Sequence, residues 1–294
     1  AYTGKDVIVG IIDGGFQYNH INFYDTEGKN LRIKRVWNQN QSGTPPTGYY
    51  YGTEYTNAEE IIAAKQDYAA SHATHVTGIA AGAYKGNEYY GIAPDADLVL
   101  VSYNISDNSS SNTSITDGIK YIYDYAESVG KPCVINMSLG YHIGPHDGTS
   151  TFDRICDELQ GEGRLLVGAS GNEYNIHATK TLKKGDTNMK SLVEFVSNWY
   201  LYGSMTSTVD IWGDAEKQLS ARVFVYDILN KKEVYSSESF STAASASKKI
   251  SNPTGADGNI YISTATNPYN KKGNITIDLN LSSFDNRNYY IGFE

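Results

Sequence analysis

Ser71-His72-Ala73-Thr74-His75-Val76-Thr77-Gly78 is the stretch from which the fold is read. Two histidines stand three residues apart at the head of the small-residue run Gly78-Ile79-Ala80-Ala81-Gly82. On a helix that spacing places both imidazoles on one face. A helix of Ala, Val, Ile and Gly approaches a sheet closely, and a histidine in its first turn points away from that packing, toward the sheet edge. Two plainer readings compete. His72 is a satisfied polar residue at a helix start, or the pair shares a zinc ion. The zinc reading is weak, because no Glu follows His72 and no third ligand lies nearby.

Three stretches elsewhere change the balance. Val7-Ile8-Val9-Gly10-Ile11-Ile12 is continuously apolar and ends in Asp13-Gly14-Gly15. Such a run reads as a strand buried on both faces. A carboxylate at the carboxyl end of a parallel strand stands where open α/β sheets keep their chemistry. A second run, from Cys133, ends in Asn136-Met137-Ser138-Leu139-Gly140, and a third ends in Val167-Gly168-Ala169-Ser170-Gly171-Asn172. Taken singly, Asp13 is better explained as a turn cap.

Together with His72 and the turn Gly91-Ile92-Ala93-Pro94-Asp95-Ala96, these motifs resemble the subtilisin-like serine proteases in the order that family uses. The resemblance covers roughly the first three-fifths of the chain. It implies that Asp13 orients His72, that His72 is the general base, and that Asn172 donates to the oxyanion. It also implies that Ser138, Leu139 and Gly140, with Ser170 and Gly171, bind substrate backbone. His20 and His75 match structural histidines. The chain departs from the family at Gly14, where Thr or Ser is usual, and at Ala73, where Gly is usual. By the same resemblance the polar loop Ser106–Thr113 borders an extended substrate, which adds to the sheet edge as a strand.

Between these motifs the chain alternates strands and helices, which gives a parallel sheet with right-handed crossovers. Strands are expected at Arg32–Trp37, Asp97–Tyr103, Cys133–Leu139 and Leu165–Ala169. A helix is expected after the capping box Thr56-Asn57-Ala58-Glu59. Another carries Ile115, Ile119, Ile122, Ala126 and Val129 and stops at Gly130. After about Lys180 helical periods vanish. Short alternating strands take over at Leu192–Ser197, Thr208–Trp212, Leu219–Tyr226, Glu233–Tyr235, Ile260–Thr264, Ile275–Leu281 and Tyr289–Phe293. The expected fold is α/β: a parallel-sheet subtilisin-like core over residues 1–178, and an all-β, jelly-roll-like inserted domain over residues 179–294. Tyr200, Tyr202 and Trp212 are candidates for a ligand surface there, although core or interface positions explain them better.

Gly148-Thr149-Ser150 is a decoy. It has the triplet that surrounds the family's nucleophile, but it precedes Asn172 and continues Thr151-Phe152-Asp153 instead of Met-Ala-x-Pro. A helix N-cap at Ser150 explains it better. No Gly-Thr-Ser-Met-Ala-x-Pro occurs in the 294 residues. The expectation is therefore a serine endopeptidase whose nucleophile lies on a C-terminal segment of the same protein, the chain alone being inactive. The alternative from another class is a non-catalytic pseudoprotease, or a binding scaffold with a ligand-binding jelly roll. A core that ends near Asn172 lacks part of its sheet, so apolar surface is expected at Val134, Ile135, Leu166 and Val167.

Composition bounds the partners. The formal charge is −9 and is spread without a basic run. That argues against nucleic acid and against an anionic membrane surface; a polypeptide substrate is what the resemblance implies. No apolar run reaches the ~20 residues of a membrane helix. Ala1-Tyr2-Thr3-Gly4-Lys5 leads straight into a strand, as in a mature or trimmed chain, and an extracellular or cell-envelope location is expected. Cys133 and Cys156 are expected to be buried free thiols. The resemblance implies no required cofactor and leaves room for structural calcium.

Overall fold

In the computed structural model the described residues are 2–84, 86, 89–103, 113–172, 181, 183, 185–186, 188–193, 205–253, 256–284 and 288–294. They fall into two compact units, Ala1–Tyr141 with Thr151–Tyr174, and His142–Ser150 with Asn175–Glu294.

The first unit is built in chain order from β1 (Ile8–Asp13), β2 (Ile33–Asn38), β3 (Thr53–Tyr55), α1 (Ala58–Ala64), α2 (Ser71–Ala81), β4 (Asp97–Ser102), α3 (Thr113–Ser128), β5 (Cys133–Met137), α4 (Thr151–Leu159) and β6 (Arg164–Gly168). The sheet order is β3-β2-β4-β1-β5-β6. Every pairing is parallel except β2 with β3. The antiparallel edge strand β3 was not among the expected strands; its three residues are too few to show a period.

The pleat explains the layers. Successive strand side chains point to opposite faces. Ile8, Ile12, Val99, Val101 and Ile135 join Ile115, Ile119, Ile122 and Ala126 of α3 in one buried cluster. Ile11, Leu98 and Leu100 join Ile61 of α1 and Ala73 and Ala81 of α2 in another. Each fully buried Ile or Leu contributes about 1.5–3 kcal/mol. β1 is thus held from both sides, and its carboxyl end cannot shift without disturbing both layers.

Local corrections are small. The N-cap of α1 is Asn57, which accepts from the Glu60 amide at 3.0 Å, while the Glu60 carboxylate accepts from the Thr56 amide at 2.9 Å. The cap is therefore one residue later than the sequence pattern suggested, and the returning carboxylate reaches the amide of the residue before the cap. α3 ends as expected, with Gly130 at φ 65°. Ile135 is fully buried under α3, which corrects the expectation that it is exposed. Val167 is exposed, as is Leu165 beside it, because β6 is the last strand of the sheet.

The second unit holds β7 (Ser191–Val193), β8 (Met205–Ala215), β9 (Ser220–Ala221), β10 (Val223–Asp227), β11 (Lys232–Ser236), β12 (Phe240–Ser241), β13 (Ala246–Ser251), β14 (Ala256–Thr266), β15 (Lys272–Phe284) and β16 (Tyr289–Phe293). Two four-stranded antiparallel sheets run β11-β10-β16-β7 and β13-β14-β15-β8, with a short β12-β9 ladder. Val223, Val225 and Ile291 of one sheet share a cluster with Ile260, Ile262, Ile275, Ile277 and Leu279 of the other. The expected strand Leu219–Tyr226 is split into β9 and β10. β13 was not expected, since Ala246–Ser251 buries only Ile250.

The segment His142–Ser150 belongs to this unit. Gly144 donates its amide to Asp210 at 2.8 Å, Asn270 Nδ2 lies 3.2 Å from Thr149 Oγ1, and Lys272 pairs with Asp147. Trp212 donates its indole N–H to Asp210 at 2.7 Å. The expected boundary at 178/179, the loop at residues 106–112, and Tyr200 and Tyr202 lie outside the described residues.

Candidate active site

β1, β5 and β6 are neighbours and run parallel. Asp13 closes β1, Ser138-Leu139-Gly140 follows β5, and Ser170-Gly171-Asn172 follows β6. All three segments therefore emerge along one carboxyl edge of the sheet, the edge at which open α/β folds bind ligands. Gly171 takes φ 91°, a conformation that disfavours any residue with a Cβ, and it turns the chain so that Asn172 follows at the surface.

Asp13 is buried, with 2% of its side chain exposed, whereas His72 in the first turn of α2 is 60% exposed. His72 Nδ1 lies 3.0 Å from Asp13 Oδ1 and 2.9 Å from Oδ2. The Gly14 amide donates to Asp13 Oδ1 at 2.7 Å. A carboxylate accepts only, so Nδ1 must be the protonated nitrogen. That leaves Nε2 as an acceptor on the exposed side of the ring, ready to take a proton. The Tyr103 amide donates to the Asp13 carbonyl at 2.9 Å, and burial, then the neighbouring Asp13 charge, raises the Tyr103 phenol above its ordinary value.

Ala73 is completely buried in α2, so the methyl group that replaces the usual glycine is absorbed in the core and the His72–Asp13 bond stands. Thr74 Oγ1 accepts the Gln17 amide at 2.8 Å and donates to the Ala70 carbonyl. The turn after Asp13 and the helix of His72 are thereby tied together. His75 is exposed. His20 Nδ1 accepts the Asn22 amide at 3.3 Å, and its ring packs on Phe23.

On the segments expected to bind substrate, Asn136 Nδ2 donates to Ser138 Oγ at 3.0 Å, and Leu139 packs partly against the α3 core. Gly140 and Asn172 are exposed. Ser150 directly precedes α4 and belongs to the second unit.

Sequence reasoning missed Asp67. It is buried, and its carboxylate accepts from the Phe16 amide at 2.9 Å, Tyr18 Oη at 2.6 Å, Asn38 Nδ2 at 2.6 Å and Ser102 Oγ at 2.5 Å. Its one outward sign was an acid five residues before His72 in a segment without periodicity.

Cys133 and Cys156 are buried free thiols. Burial pushes them up, to about 12 and about 11. Neither is a thiolate nucleophile near neutral pH. Among the described residues no three His, Cys, Asp or Glu side chains converge as a metal site would need. No helix among them is long and apolar enough to cross a membrane.

Residues 4–278 match the model of the subtilase family, peptidase S8. A subtilisin of Bacillus sp. (strain TA39) is 34% identical over 122 residues, which cover 41% of this chain and 27% of that protein. Subtilisin E of Bacillus subtilis (strain 168) is 27% identical over 181 residues, covering 62% of this chain and 38% of that protein. The chain thus spans well under half the length of these relatives. The structure of the CspB protease of Clostridium perfringens superposes with a TM-score of 0.64 over 100% of this chain and 61% of that one, at 21% identity. The likeness shows a shared fold, and with the match over most of its length, the chain belongs to the subtilase family.

Proposed function

We propose that these residues supply the acid–base and oxyanion half of a serine endopeptidase. The observation that carries the reading is the bond between the buried Asp13 carboxylate and Nδ1 of the exposed His72. Asp13 fixes the Nδ1–H tautomer and stabilises the imidazolium once His72 Nε2 has taken the serine proton. His72 then returns that proton to the leaving amine, and Asp13 stays ionised throughout. Asn172 donates its amide N–H to the oxyanion of the tetrahedral intermediate. Ser138, Leu139, Gly140, Ser170 and Gly171 offer backbone groups to an extended polypeptide.

The nucleophile in this reading lies on a segment of the same protein outside the 294 residues. The antiparallel second unit is read as a jelly-roll-like insertion ahead of that segment. An extracellular or cell-envelope setting fits the reading, as does a structural calcium held elsewhere in the protein.

The test is hydrolysis of an unfolded polypeptide by the full-length protein that contains this chain. Wild type should cleave internal peptide bonds and His72→Ala should not. Equal cleavage by both would remove His72 from the chemistry and, with it, this reading.

A further inference from the structure

Asp13, Ser102 and Asn38 are register partners across the carboxyl ends of β1, β4 and β2. Asp67 lies outside the sheet and closes over that row. Its Oδ1 takes Tyr18 Oη and Asn38 Nδ2, and its Oδ2 takes the Phe16 amide and Ser102 Oγ. A carboxylate has about four lone-pair sites, so all are used, and by neutral donors. Two donors, Phe16 and Tyr18, belong to the turn that leaves Asp13, and a third, Ser102, is the neighbour of Asp13 in the sheet.

The approach is close. A Cβ on Gly15 would lie 2.9 Å from Asp67 Cβ and 3.0 Å from the Ala69 carbonyl. The Asp67 amide also donates to the Phe16 carbonyl at 2.9 Å. The same turn reaches α2 through Gln17 and Thr74. One short segment, residues 14–18, is therefore pinned by Asp67 on one side and by the helix of His72 on the other.

For stability alone, a buried carboxylate without a cation is a poor choice, since desolvation works against it. Its worth lies in acceptor number: no neutral side chain of that size accepts four hydrogen bonds. We infer that Asp67 is a positioning residue for the Asp13–His72 pair, acting through Ser102 and the 14–18 turn to hold the Asp13 carboxylate against Nδ1 of His72. This rests on the peptidase reading above.

The test uses the full-length protein with Asp67→Asn, which keeps the shape and turns one acceptor into a donor facing donors. Tyr18→Phe and Ser102→Ala each remove one donor and disturb the fold less. Misplacement of a reacting group by about 1 Å costs up to about 10² in rate. Asp67→Asn should therefore lower kcat about ten- to a hundredfold with KM within about twofold, and the single-donor variants should lower it less. The far-downfield proton resonance of His72 Nδ1–H should broaden or vanish in Asp67→Asn at temperatures where the protein remains folded.

An unchanged kcat and an unchanged Nδ1–H resonance in folded Asp67→Asn overturn the inference. So does a loss of rate that tracks only the unfolded fraction. If Asp67→Asn does not fold, unchanged values in both single-donor variants overturn it. A wild type that cleaves nothing defeats the peptidase reading separately, and the Nδ1–H resonance still decides whether Asp67 positions the pair.

Discussion

His72 Nδ1 sits almost midway between the two carboxylate oxygens of Asp13, at 2.9 and 3.0 Å. An imidazole so placed has one tautomer, and the proton-accepting nitrogen faces outward. Asp13→Asn removes that constraint, because the amide presents a donor where the ring needs an acceptor. In the full-length protein kcat should fall by about 10⁴ with the fold intact. A loss below tenfold, measured with a chromogenic peptide, would show that Asp13 does not set the tautomer.

Asn172 follows the left-handed turn at Gly171 beyond β6. In the proposed reaction its amide acts only on charge that develops in the transition state. Asn172→Leu should therefore lower kcat by about 10²–10³ and leave KM nearly unchanged. A rise in KM with constant kcat would make Asn172 a ground-state contact.

Ser150 precedes α4, and its neighbour Thr149 is engaged by Asn270 and Asp147. A fluorophosphonate probe should label the full-length protein at a serine outside these 294 residues. Peptide mapping that finds stoichiometric label on Ser150 would overturn the assignment and put the nucleophile in this chain.

Tyr18, Tyr121 and Tyr123 are buried. Burial raises all three phenols, and the charges of Asp67 and Glu54 add to the rise for Tyr18 and Tyr121. In the unfolded chain tyrosines ionise near pH 10. Between that value and the folded ones, the native state holds more protons than the unfolded state, so stability falls as pH rises. The contribution is complete below about pH 10 and is lost above it. Denaturation midpoints in urea should hold steady from pH 8 to about 9.5 and drop beyond. Tyr123 Oη is buried without a partner among the described residues. Tyr123→Phe should therefore be neutral or stabilising by about 1 kcal/mol, while Tyr121→Phe, which loses Glu54 at 2.8 Å, should destabilise.

What could be read from the sequence followed from pattern strength. Asp13 ends a β-branched apolar run and His72 opens a small-residue helix, so each announces its place. Asn172 and Ser138 end similar runs. Asp67 ends nothing. It sits in a polar segment, and its partners Phe16, Tyr18, Asn38 and Ser102 come from three separate stretches that only the folded sheet brings together. β13 was hidden for a related reason, since Ala246–Ser251 turns one apolar side chain inward and two lysines outward. The membership of residues 142–150 was equally silent. It depends on Asp210, Asn270 and Lys272, more than sixty residues away, and no shift in composition marks it.

That last segment bears on how the protein is divided. The chain passes between its two units at 141/142, 150/151 and 174/175. A body entered and left so often is not a cassette. Grafting residues 175–294 into another protein would strand Asp210, Asn270 and Lys272 without Gly144, Thr149 and Asp147. Any recombination that moves the β-rich unit must carry the nine-residue outpost with it, and that outpost begins two residues after Gly140.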